Sequence, residues 1–357
     1  MKKVLSIEKL DRRKFVLMVG KASASLSFVG ASVSTVISCS TGINYKPGSG
    51  IRWSNQNTLP NKEDDVIPVP GTRAELTPIE DHYKMIHFGI PPEPNIRDWR
   101  LQFNGLIEKP FSLNYEKIRN FETISEFITL TCITNPVGGS LTSTTLWTGV
   151  SFQKILPLIK LKDAATHLRI RAADGFFETI AIETILSDER VMLAYEWDGV
   201  PLPMAHGFPL RLYIPNRYGM KLPKWITSFT AIDHWEPGYS VKNTWDKEAI
   251  MKTTSVIDTI QVDKNGMVCL GGVAHGGSLG ISKVEIQVNG GEWQEALLRK
   301  PLSALPWVIW RFDWPFYEGD NEFAIRAYNK NGRLQVTEES SAYPDGATGV
   351  FRKKRSM

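Results

Sequence analysis

"TLTCITNPVGG" (residues 129–139) places a single cysteine between β-forming threonines and a turn that ends in two glycines. Four readings of Cys132 are open at this point: half of a disulfide, a small buried hydrophobe, a nucleophile, or a soft metal ligand. Glycines directly after a strand let the backbone approach a bulky ligand, so the turn is a candidate lip of a site. The chain holds two further cysteines, Cys39 and Cys269. Cys269 lies mid-strand in "MVCLGG", the usual place of a structural thiol, in a different predicted domain from Cys132. No C-x-x-C pair occurs, so zinc at thiolate spacing is not indicated. The six histidines offer few obvious partners for a cysteine nucleophile.

Around that stretch the pattern mixes strands with short helices. "WRLQFNG" (99–105), "EFITLTCI" (126–133), "LRIRAAD" (168–174), "RVMLAYEWDG" (190–199) and "PLRLYIP" (209–215) read as strands. "IEKPFSLNYEKIRNF" (107–121) reads as a turn and a short helix, and "SFQKILPLI" (151–159) as a short helix with a late proline. No regular strand–helix alternation is present, which predicts an α+β domain over residues 76–255. From residue 256 to 352, short alternating strands separated by Gly/Asn turns predict an all-β antiparallel sandwich. "VNGGEW" (288–293) and "YNKNGRLQ" (328–335) carry the Asn-Gly pairs of tight hairpins. Residues 353–357 are expected to be a solvated basic tail.

The N-terminus reads as an address. "DRRKFV" (11–16), followed by a mildly apolar Ala/Ser/Gly/Val run, resembles a twin-arginine export signal, and Lys21 with many serines makes a poor membrane span. That route carries proteins that fold first, often around a cofactor. "VISC" (36–39) resembles a lipobox, which makes Cys39 a candidate for a lipid anchor. The expected location is therefore exported, in the periplasm or cell envelope, with residues 1–39 as signal and 40–75 as a flexible tether. Net charge is +4, and 42% of residues are hydrophobic, as in an ordinary globular protein. No basic face interleaved with aromatics is visible, so nucleic acid is not an expected partner.

A second constellation, "HGFPLRLYIPNRYGMKLPKW" (206–225), gathers His206, Arg211, Arg217, Lys221 and Lys224 between Pro and Gly turns. Cations spread over a strand and its loops can surround a polyanion, and arginine grips phosphate oxygens in pairs. Taken with "TLTCITNPVGG…LWTGV" (129–150), this segment resembles the molybdopterin-binding domain of the sulfite oxidase family. The run from "GGVAHGG" (271–277) through "VEIQVNGGEW" to "IRAYNKNGRLQ" (325–335) resembles that family's C-terminal immunoglobulin-like dimerisation domain.

The resemblance implies a sulfite-oxidase-like mixed α+β cofactor domain followed by an all-β immunoglobulin-like sandwich, assembled as a homodimer. It implies molybdenum-molybdopterin as cofactor, with Cys132 as the protein's ligand to the metal. It also implies that His87, Asp174, Gly175, His206, Arg211, Lys221 and Lys224 contact the pterin or its phosphate. The expected reaction is two-electron oxygen-atom transfer on a small sulfur-containing or related molecule. No C-x-x-C-H haem motif occurs, so electrons would pass to an external carrier such as a c-type cytochrome.

Two positions depart from the family pattern. Met85 stands where an arginine is expected two residues before His87, and Trp245 stands at the position of an active-site tyrosine, with Tyr239 nearby. Trp245 and Tyr239 join Cys132 as catalytic candidates. Both departures remove groups that would hold sulfite, so an entrance walled by Tyr83, Met85, Trp147 and Trp245 suits a less charged S-oxide or N-oxide. Two rival readings stand beside this one. The first is a non-catalytic, surface-anchored immunoglobulin-like binding protein. The second is a zinc hydrolase built from His82, His87, His206, His234 and His275, whose separations show no ligand spacing.

Overall fold

The structure, a computed structural model, describes residues 64–357. The export signal, the lipobox and most of the tether fall outside the described residues. Ten strands build the first part: β1 (Arg100–Gly105), β2 (Phe111–Asn114), β3 (Thr123–Thr131), β4 (Thr142–Ser151), β5 (His167–Ala172), β6 (Phe177–Ala181), β7 (Met192–Trp197), β8 (Val200–Pro201), β9 (Arg211–Tyr213) and β10 (Ile226–Ile232). One sheet runs β2-β1-β10-β5-β6, with β1 and β10 parallel and the other neighbours antiparallel. The other runs β3-β4-β7-β8, and β9 also pairs with β7.

Alternation along β1 explains its placement, because Leu101 and Phe103 are fully buried between exposed neighbours. They share one apolar core with Trp147, Leu193 and Phe229 from both sheets and with Phe152 from a helix. The helices are brief. Tyr115–Arg119 starts at Asn114, whose side chain accepts a hydrogen bond from the Lys117 N–H. Phe152–Ile159 contains Pro157 and stops at Lys160 in a left-handed conformation. The α+β expectation is therefore met only in part: strands carry the core, and the helices are single turns or pairs of turns at its edges.

Residues 254–356 form two facing sheets. Their strands are β11 (Thr254–Val262), β12 (Met267–His275), β13 (Ile281–Val288), β14 (Trp293–Glu295), β15 (Leu297–Leu298), β16 (Val308–Pro315), β17 (Asp320–Asn329) and β18 (Phe351–Ser356). The orders are β11-β12-β16-β15 and β14-β13-β17-β18. Leu270 and Trp310 of one sheet share an apolar cluster with Ile286 and Phe323 of the other. Asn289 and Gly290, at φ 52° and 72°, make the type I′ turn between β13 and β14, closed by the Gly291 N–H on the Val288 carbonyl at 2.9 Å.

Two expectations change. Residues 353–356 are not a free tail: they belong to β18, which pairs with β17 along an edge, and Lys353 Nζ donates to the carbonyls of Ile257 and Asp258. Charged residues suit an edge strand because they discourage pairing with other chains. The last stretch of the tether, from residue 64, is docked. Val69 is buried, Arg73 pairs with Asp258 at 3.0 Å, and Glu75 pairs with Arg299 at 3.2 Å. The Pro/Gly content of this stretch hides the apolar and ionic anchors that hold it.

Candidate active site

The turn after β3 is closed by its own backbone. The Asn135 N–H bonds the Cys132 carbonyl at 3.0 Å, the Gly139 N–H bonds Pro136 at 2.9 Å, and Asn135 Oδ1 accepts from the Leu141 N–H at 2.9 Å. Gly138, at φ 81°, lies against the ring of Phe351 on β18 with no room for a Cβ. The sandwich thus braces the Cys132 turn from behind. Cys132 and Cys269 are both free and buried, which removes the disulfide reading. The Cys132 thiol sits 3.0 Å from Thr134 Oγ1. Cys269 lies in β12 beside Arg311, and burial raises its pKa to about 11, as befits a structural thiol.

Cys132 opens on a cleft that is partly open to solvent. The same cleft is lined by His206, Arg211 and Lys224. Arg211 is buried on β9, with its guanidinium over Trp147 and Trp197 and one N–H donating to the His206 carbonyl at 3.0 Å. Its Nε has no partner, and neither does the buried Nε2 of His206. Lys224 Nζ donates to the carbonyls of Met85 (2.9 Å) and Ala205 (3.1 Å) and lies 4.2 Å from the Trp225 ring centroid. Gly207, at φ 116°, permits the crossing, since a Cβ there would crowd both Lys224 and Arg211. Trp225 itself takes φ 52°, an uncommon value for a bulky residue, fixed by its indole N–H on the Met204 carbonyl at 2.7 Å.

The electrostatics of this cluster are those of buried cations crowded together and only partly offset by Asp174. Burial lowers Arg211 to about 10. Burial, aided by Arg211, lowers Lys224 to about 7, with Asp174 opposing. Burial, then Arg211 and Lys224, lowers His206 to about 3, so its imidazole is neutral. Buried nitrogens without partners beside mutually repelling cations fit a phosphorylated, hydrogen-bonding ligand.

Residues 87–240 match the family model for the oxidoreductase molybdopterin binding domain. A sulfite oxidase of Arabidopsis thaliana is 25% identical over 273 residues, covering 62% of this chain and 70% of that protein. A nitrate reductase [NADPH] of Fusarium oxysporum is 29% identical over 187 residues, which is 45% of this chain but only 21% of the relative. Among solved structures, the sulfane dehydrogenase SoxCD of Paracoccus pantotrophus superposes with a TM-score of 0.67 at 21% identity, covering 79% of this chain and 80% of that one. The chain carries an oxidoreductase molybdopterin-binding domain over residues 87–240 and resembles the sulfite oxidases. It spans about a fifth of the length of that nitrate reductase, and the likeness to SoxCD establishes the fold.

Molybdenum-molybdopterin is accordingly the cofactor, and the donor set of the cleft fits it: one free thiol on the same cleft as a cationic cradle. Among the described residues no three His, Cys, Asp or Glu side chains meet to hold a metal. The five histidines of the zinc reading are scattered instead. His82 and His206 adjoin at 5.2 Å between ring centroids, His87 lines the cleft, His234 pairs with Asp233 in solvent, and His275 binds the Leu305 carbonyl.

The remaining candidates separate into two groups. His87 and Asp174 line the cleft, His87 stacking on Phe176 at 6.0 Å and Asp174 capping the Phe176 N–H at 3.0 Å. Tyr83, Met85 and Trp245 line it as well. Gly175 is next to Asp174 at φ 93° but does not line the cleft, and Lys221 gives its ammonium to buried Glu178 at 2.9 Å. Tyr239 joins an aromatic cluster with His87 (5.4 Å) and Phe176 (5.7 Å), beside Ser240, which does line the cleft. Trp147 is no wall: it is fully buried beneath Arg211. Sequence reasoning passed over Thr134, Met220 and Ser240, which line the cleft. It placed His82 only in the zinc reading, whereas His82 stacks on Trp197 at 4.3 Å, adjoins His206, and has an unpartnered buried Nε2. His82 stands five residues before His87 in the sequence.

Proposed function

We propose that this chain is an exported oxidoreductase carrying out two-electron oxygen-atom transfer on a small sulfur-containing or related substrate, exchanging electrons with an external carrier such as a c-type cytochrome. The reading rests on one observation: a free thiol opens on the same cleft as a desolvated His206–Arg211–Lys224 cradle. When bound, molybdenum in a pterin dithiolene supplies the two-electron redox change and the oxygen-atom chemistry.

In this reading Cys132 is the metal's protein ligand, held in place by the Asn135–Gly139 turn. Arg211 and Lys224 take the phosphate, and neutral His206 offers one N–H and one lone pair to the pterin. His87 and Asp174 flank the ring system. Met85, Ile86, Met220 and Trp245 give the cleft an apolar side that excludes water and disfavours a doubly charged oxyanion. That side supports an S-oxide or N-oxide substrate over sulfite. Lys221 and Gly175 would act through neighbours, and Tyr239 through the aromatic cluster that backs His87.

The facing sheets of residues 254–356 support an immunoglobulin-like dimerisation domain after the cofactor domain of residues 76–255. Residues 1–39 support twin-arginine export with a lipid anchor at Cys39. A non-catalytic binding protein leaves the buried cationic cradle unexplained.

The test is metal and pterin analysis of protein produced in a molybdate-replete host, beside Cys132→Ser. The wild type should hold about one molybdenum per chain and turn over S-oxides with a reduced dye. Cys132→Ser should lose turnover and the sulfur-to-molybdenum absorption. A wild type free of molybdenum overturns the proposal.

A further inference from the structure

Glu178 on β6 and Lys221 form a buried ion pair at 2.9 Å, with side chains 1% and 8% exposed. The pair does not line the cleft, yet three segments that do meet at it. Glu178 stands two residues after Phe176, Lys221 stands next to Met220, and the carboxylate lies against the Cα of Gly238 with no room for a side-chain atom between them. Gly238 opens the short helix Tyr239–Lys242, which leads through Ser240 to Trp245 on the cleft. Besides Lys221, Glu178 Oε1 accepts only the Thr179 N–H, and the buried Oε2 has no partner.

A buried carboxylate and ammonium cost much to desolvate and are strongly destabilising if one is left alone. Such a pair fixes geometry more than it adds stability. The geometry points to Glu178 and Lys221 as positioning residues that lock the Met220 and Ser240–Trp245 walls of the cleft to β6, and so set substrate fit. Lys221 then serves the site through Glu178 and makes no contact with the cofactor. This inference rests on the reading of the cleft as the active site.

The test compares cofactor-loaded wild type with Glu178→Gln and with the double variant Glu178→Gln/Lys221→Met. Glu178→Gln should keep its molybdenum and its kcat with dimethyl sulfoxide and a reduced dye. Its KM should rise, and amide hydrogen exchange over residues 238–245 should quicken, each roughly tenfold, because a lone buried charge loosens the wall. The double variant, with no charge left alone, should return exchange toward the wild type. Unchanged exchange and KM in Glu178→Gln overturn the inference. So does loss of molybdenum from the double variant, which would make Lys221 a cofactor contact. If Glu178→Gln does not fold, Lys221→Gln, which leaves the carboxylate alone instead, decides by the same two readouts. A wild type without molybdenum refutes the active-site reading instead, and the exchange pattern still tests the lock by itself.

Discussion

Arg211 holds its guanidinium 4.6 Å from the indole centroid of Trp147, with the side chain buried. The ring face offsets part of the lost hydration, and the His206 carbonyl takes one N–H. Nε stays unpartnered and no carboxylate pairs with the charge. The arginine is therefore kept at a cost to the protein alone, which a bound anion would offset. Arg211→Met should leave the cofactor-free protein as stable as the wild type, or stabilise it by about 1–3 kcal/mol, while abolishing cofactor retention. Urea unfolding of cofactor-free protein and pterin content check the two halves. Destabilisation by more than about 2 kcal/mol would show that Arg211 is part of the fold's own support.

Lys224 gives the same cradle a signature in pH. Burial and Arg211 bring it from the ordinary 10.5 to about 7. In the unfolded chain it keeps its proton up to the ordinary value, so between these limits the unfolded state binds more protons. Stability of the cofactor-free protein should then rise with pH across that window, and the contribution should be absent in Lys224→Met. Unfolding midpoints at several pH values between 7 and 10 measure it. Equal slopes in both proteins would mean that Lys224 is hydrated and that the cradle is open.

The chemistry of the cleft was more legible than its walls. Cys132 and the cations of residues 206–225 announce themselves because thiolate and phosphate chemistry needs those residue types, and strand-to-turn junctions put them at one sheet end. Lys221 shows where that reasoning stops. Its charge looks like its neighbours' in sequence, and only the fold brings Glu178 to it from a strand 43 residues away (221 − 178). Trp147 failed for a related reason: an aromatic residue in "LWTGV" suits a wall or a core equally, and β4 turns it inward. The basic end of the chain was misread because four charges in a row suggest solvent, whereas an edge strand needs only its backbone paired. The docked stretch from residue 64 depends on Arg299 and Asp258, which no local pattern reveals.

Met85 and Trp245 carry the last prediction. Both line the cleft, and the Met85 carbonyl already receives Lys224 Nζ at 2.9 Å, so the side chain starts beside the cradle. A guanidinium placed there by Met85→Arg would face a developing or bound oxyanion and supply the paired N–H groups that the present wall lacks. Trp245→Tyr would add a hydroxyl to the cleft and remove apolar bulk. With a dye acceptor, Met85→Arg should lower the KM for sulfite by about tenfold or more, since a charge-assisted hydrogen bond contributes about 1.5–3 kcal/mol. The double variant should extend the gain, and activity on a neutral S-oxide should fall in both as the wall becomes charged. Steady-state kinetics on both substrates, with molybdenum content matched, separate this from a change in cofactor loading. A sulfite KM that stays where the wild type has it, in single and double variants alike, would mean that the apolar wall does not govern which substrate enters.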